Sequence, residues 1–175
     1  MAELEVTGAR ARDRVAPAPS GWLIGLFRIC LSLIWIENAG WKKPPDFEAL
    51  REYTQLAVEY PVLSPFTWLV SNVVLPDFAL FGWMTLLVEA SLGAFLLIGL
   101  ATRLVAVIAL GQTSAICLSV LNAPNEWEWA YFLMLLAHLA VFATAAGRYW
   151  GLDGLLRPVW RDSSHQSASW LLRIS

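Results

Sequence analysis

Apolar residues fall along this chain in four long blocks, set apart by stretches rich in charge, proline or tryptophan. The blocks run from Ser20 to Ala39, Phe78 to Leu100, Leu104 to Leu121 and Trp129 to Ala146. A helix needs about 20 apolar residues to cross a bilayer core of about 30 Å, and each block comes near that length. The pattern therefore predicts an all-α membrane protein, a four-transmembrane-helix bundle occupying residues 20–160. The loop over residues 40–77 is too long to be a turn. Within it, PPDFEALREYTQLAVEY opens on two prolines suited to a helix start and brings Phe47, Leu50, Ala57 and Tyr60 near one face. SPFTWLVSNVVLP, which follows, is apolar but too short to cross. Both read as short interfacial helices between spans 1 and 2. Residues 1–19 read as a flexible cytoplasmic tail, GRYWGLDGLLRPVWRD as an amphipathic surface piece, and residues 161–175 as a C-terminal tail.

Composition strengthens the membrane reading. Of 175 residues, 58% are hydrophobic and 15% charged, where a soluble domain carries about a quarter charged. Ten tryptophans suit a chain with two lipid–water boundaries. Trp22, Tyr149 and Trp150 fall at one edge of the blocks, and Trp41, Trp83, Trp127 and Trp129 at the other. The first block is not a cleavable leader, because Arg28 interrupts it and no A-x-A site follows. Four crossings put Arg10, Arg12, Arg14, Arg103, Arg148, Arg157, Arg161 and Arg173 on one side, against Lys42, Lys43 and Arg51 on the other. The positive-inside bias then places both termini in the cytoplasm of a multi-pass cell-membrane protein. A net charge of −2 points to no nucleic-acid partner. The expected partners are membrane lipid, other membrane subunits or further copies of the chain. Cys30 and Cys117 stand alone in apolar runs and read as small buried residues.

Each block also holds one strong polar group: Arg28, Glu89, Gln112 and His138. Counted from the inner end of each block, all lie roughly 8 to 11 residues in, about 12–17 Å at the helical rise. A charge at the bilayer centre costs about 2.5–3.5 kcal/mol on insertion scales, so such groups turn inward and pair. Small residues flank the charges. Gly82, Thr85, Gly93 and Leu96 share a stripe with Glu89, while Gly21, Gly25, Ser32 and Trp35 share one with Arg28. GWLIG is also a GxxxG match, a weak sign of helix contact. The expected arrangement is an Arg28–Glu89 ion pair flanked by Gln112 and His138. Such a cluster either fixes helix register or forms a proton-linked, quinone-binding site. In the second case Glu89, Arg28 and His138 are the catalytic candidates, and Gln112, Tyr131 and Trp35 the cofactor contacts. Glu37, on the opposite face from Arg28, joins Asn38, Trp41, Lys42 and Lys43 in an outer polar group. That group is either solvated interfacial charge or a mouth for an anion or a partner subunit. No nucleotide, metal, flavin or hydrolase motif occurs.

Three motifs resemble the DoxX/DoxD family. An internal arginine in the first span followed by AGWKK looks like its start, VEASLGAFLLIGLATRLVA like its second span, and AAGRYWGLDGLL like its closing pattern. The likeness covers about residues 20 to 156, and Arg28, Glu89, Arg103, Arg148 and Asp153 match family positions. It implies a four-helix membrane subunit related to thiosulfate:quinone oxidoreductase, working beside redox partners. It implies a small subunit of a quinone-linked, thiosulfate or thiol redox assembly, or else a non-catalytic anchor of a larger complex. A proton-coupled carrier is a further alternative.

Overall fold

The computed structural model describes residues 18–163 and 165–175. Most of the expected N-terminal tail, with Arg10, Arg12 and Arg14, lies outside the described residues. Among the described residues every regular element is helical. In chain order these are α1 (Ala18–Gly40), α2 (Glu48–Glu59), α3 (Ser64–Leu69), α4 (Phe78–Ile98), α5 (Thr102–Val120), α6 (Glu128–Thr144), α7 (Leu152–Arg161) and α8 (Gln166–Ile174). A π-helical turn, Val70–Val74, continues α3, and a 3-10 turn, Ala146–Arg148, follows α6.

Helices α1, α4 and α5 are long and apolar enough to cross a bilayer. The expected fourth crossing corresponds to α6, which is apolar but only 17 residues long. That is the lower limit of the spanning range. The chain is a multi-pass membrane protein, and its outward faces are apolar. Leu23, Leu80, Leu87 and Leu136 are each at least half exposed.

Three residues join α4 to α5, so the two helices run antiparallel. Gly99 takes the left-handed conformation (φ 67°) at the end of α4, the place where a residue without Cβ ends a helix most easily. Helix α1 packs along α4, and α5 along α6. Oil-like surfaces gain little by meeting inside lipid, so close approach between small residues has to supply the contact. At Gly93 an added Cβ would sit 2.7 Å from Ile36 Cγ1 and 3.4 Å from the Ser32 carbonyl. The stripe read from the sequence thus faces α1. Leu31, Trp35, Leu92, Leu96, Val105, Ala109 and Val141 form the core between the four long helices.

The connection after α1 forms a second layer at the end of the bundle remote from the α4–α5 turn. Phe47 caps α2 and is buried, its ring seated over Gly82 of α4, where a Cβ would come within 2.5 Å. Its edge meets Trp83 at 5.4 Å. Leu50 and Ala57 are buried as the periodicity predicts, but Tyr60 is 37% exposed because it ends the helix. At the α4–α5 turn, Gly21 and Gly25 of the GxxxG match receive Tyr149 and Trp150 rather than another long helix. The stretch after residue 161 carries α8, packed on α7. Cys117 is buried, but Cys30 faces outward, contrary to expectation, because it lies off the stripe through Arg28.

Candidate functional site

Arg28 does not meet Glu89. Its Nη1 donates to the carbonyls of Leu96 and Leu97 (2.8 Å for the second), and its Nη2 to those of Trp150 (3.0 Å) and Tyr149 (3.4 Å). Leu96 and Leu97 belong to the last turn of α4, whose carbonyls have no partner within the helix and favour a cation. Across the turn, Asp153 does the converse. Its carboxylate accepts from the N–H groups of Ala101 (2.8 Å) and Thr102 (2.9 Å) at the start of α5. Its own N–H donates to the Gly99 carbonyl at 2.9 Å. Two fully buried charged side chains thereby satisfy the ends of two helices. Arg103 and Arg148, which also match family positions, lie on the same side of the molecule. Arg103 sits 5.6 Å from the Phe142 ring centre, and Arg148 bonds the Ser175 carbonyl at 3.4 Å.

Glu89 pairs instead with Lys42. The two side chains are 1% and 2% exposed, which makes this a buried ion pair. Asn38 donates to Glu89 Oε2 at 3.1 Å, and Gln112 to Oε1 at 3.0 Å. Every neighbour is a donor, as an ionised carboxylate requires. Lys42 also donates to the Asn38 carbonyl at 2.7 Å and lies 4.4 Å from the Trp41 ring centre. Burial pushes its ammonium below the usual lysine range, and Glu89 pulls it back toward that range.

The expected Arg28–Glu89 pair fails for a reason of side-chain reach. Leu96 lies seven residues beyond Glu89, about 10 Å along the helix axis. Counting Cα depth treats a charge as if it sat at its backbone, whereas arginine and lysine carry theirs on long apolar stems. Arg28 therefore extends toward one end of the bundle, and Lys42 reaches inward from the other. Of the polar group read around Glu37, Glu37 and Lys43 are exposed, whereas Asn38 and Lys42 turn inward.

His138 is fully buried and lies apart from Glu89's partners. Its Nε2 accepts from the Trp35 indole N–H at 2.8 Å, which leaves Nδ1 to donate to the Met134 carbonyl at 2.7 Å. Both ring nitrogens of the neutral imidazole are thus used.

Glu89, Gln112, Lys42 and Asn38 instead border a cavity of about 860 Å³ between α2, α3 with its π-turn, α4 and α5. That volume lies in the usual range for small-molecule sites. Its walls are apolar, with Leu50, Leu69, Val74, Phe78, Phe81 and Ile116. On α4 the lining runs Phe78, Phe81, Thr85, Glu89, so Glu89 stands about 16 Å below the start of the helix. Neither Trp35 nor His138 lines the cavity, whereas Tyr131 does. Beside Tyr131 stands Tyr53 of α2. Tyr53 donates to Glu126 Oε1 at 2.6 Å, Tyr131 donates to Oε2, and the two phenol oxygens are 3.3 Å apart. Burial, then the bond to Glu126, holds the Tyr53 phenol above its ordinary pKa. Of the candidate residues, Glu89, Gln112 and Tyr131 line this cavity, whereas no signal in the sequence singles out Tyr53 or Glu126. Only the fold of residues 41–77 over the long helices brings these two together.

The chain matches the family model described as "TQO small subunit DoxD" over residues 24–175. It belongs to the DoxD family. No curated protein and no solved structure matches it.

Proposed function

From membership in the DoxD family and the geometry of the cavity, we propose that this chain is the small membrane subunit of a quinone-linked oxidoreductase and holds the quinone headgroup in the cavity above Glu89. The observation that carries this reading is an apolar cavity of about 860 Å³ whose deepest residues form a buried Lys42–Glu89 pair with Asn38 and Gln112. A quinone needs apolar walls for its ring and tail, and donors for its two carbonyl oxygens. Lys42, Asn38 and Gln112 are such donors. The chain offers no residue set for a bound metal among the described residues. Its part is to bind, orient and supply protons, while electrons come from a partner subunit that oxidises thiosulfate or a related sulfur donor. In the membrane, α6 makes the fourth crossing and both termini lie in the cytoplasm, so the cavity lies toward the outer side. A pure anchor needs no such cavity, which favours the ligand-holding role.

Purified chain in mild detergent is expected to bind a short-chain benzoquinone analogue, read by quenching of tryptophan fluorescence. Gln112→Leu, and the neutral double variant Lys42→Met/Glu89→Gln, should each weaken binding about tenfold, the value of one hydrogen bond to the ligand. Unchanged binding in both variants contradicts the reading.

A further inference from the structure

A second polar cluster borders the same cavity and remains without a task. Glu126 lies in the link between α5 and α6, half-exposed, and each of its carboxylate oxygens takes a phenol hydrogen. Tyr53 and Tyr131 both line the cavity. One partly exposed carboxylate thus bonds two hydroxyl groups that line the cavity wall. Tyrosine pairs that merely pack need no shared carboxylate, and a merely solvated Glu126 would not draw in two rings from separate helices. Trp41 continues the connection inward: its ring centre lies 6.1 Å from that of Tyr53, and its indole donates to Asn38, which in turn donates to Glu89.

Resting on the quinone reading above, we propose that Glu126, Tyr53 and Tyr131 form the proton port of the cavity. Reduction of a quinone to its quinol takes two electrons, here from the sulfur donor through the partner subunit, and two protons. At the port, the Tyr131 O–H bond breaks as an O–H bond forms on a reduced quinone oxygen. Glu126, having taken a proton from outer water, returns it to the phenolate. Tyr53 holds the second Glu126 oxygen and fixes the carboxylate for that transfer. It is a positioning residue. The second proton comes from the same port in a second cycle, so protons are drawn from the outer side.

The test uses the assembled oxidoreductase in native membranes, with thiosulfate as donor and a decyl-substituted benzoquinone as acceptor. Glu126→Ala should lower turnover about 100-fold or more, the contribution of proton transfer by a positioned side chain. Quinone binding to the purified variant should stay within twofold of wild type. Added formate should restore turnover, because a small carboxylate can occupy the vacated space, and a structural loss would not respond to it. Tyr131→Phe, which removes one oxygen, should lose turnover to a similar extent with no rescue. It decides the matter if Glu126→Ala does not accumulate. Full turnover in Tyr131→Phe, or loss in Glu126→Ala that formate leaves untouched, overturns the port. Failure of wild-type chain to bind the quinone at all is a different result, and sinks the reading on which the port rests.

Discussion

A lysine outside a span that reaches a glutamate inside one carries a definite energetic expectation. Removing one partner of a buried pair leaves an uncompensated charge and costs about 3–5 kcal/mol. Lys42→Met and Glu89→Gln should each destabilise the chain by about that much in detergent unfolding. The double variant should cost less than their sum by about 1 kcal/mol or more, since the residues touch. Strict additivity would mean that the pair is not formed. His138→Gln makes a contrasting case. It breaks a contact with Trp35 away from the cavity, so stability should fall while quinone-analogue binding holds. Loss of binding at full stability would return His138 to the site. The burial of the three strongest polar groups was legible at this scale, since Arg28, Glu89 and His138 are all within 1% of complete burial, whereas that of Lys42 was not. Their partners were not, because a long side chain moves its charge by more than a helical turn from its Cα.

Among the elements, the turn between α4 and α5 depends on groups far away in sequence. Asp153→Ala should cost about 2 kcal/mol or more, because it leaves the buried Thr102 N–H and the part-buried Ala101 N–H at the start of α5 without an acceptor. Asp153→Asn retains one acceptor oxygen and should cost less. Gly147→Ala should be severe as well, since its Cβ would fall on the Thr102 hydroxyl and the Asp153 carboxylate. Thermal unfolding of the purified variants ranks them, and a harmless Asp153→Ala would deny that α7 holds this turn. Helix ends fall within about two residues of the apolar blocks, because an apolar run and its polar flanks set them: the block Ser20 to Ala39 lies on Ala18–Gly40, and Leu104 to Leu121 on Thr102–Val120. The role of GWLIG was not legible. A GxxxG face admits any close neighbour, and here Gly21 meets the Tyr149 ring while Gly25 meets the Tyr149 carbonyl and Trp150 Cβ.

For the whole molecule, the proposed topology puts Glu52 and Glu126 on one side of the membrane and Arg161 on the other. Cysteines introduced at these positions should react with an impermeant maleimide from outside intact cells at the first two and not at the third. Labelling of all three, or of Arg161→Cys alone, would reverse or refute the orientation. At this scale the sequence carried the bundle and its polar residues, but not the cavity. The cavity exists only because α2, α3 and the π-turn fold back over α4 and α5, and no periodicity encodes that docking. The most direct test of the account is photolabelling of the chain in its native membrane with an azido-benzoquinone, followed by peptide mapping. Covalent adducts are expected within residues 38–56, 66–89 and 112–131, lost when excess unlabelled quinone is present. Adducts confined to outward residues such as Leu23, Leu87 and Leu136, with no competition, would contradict it.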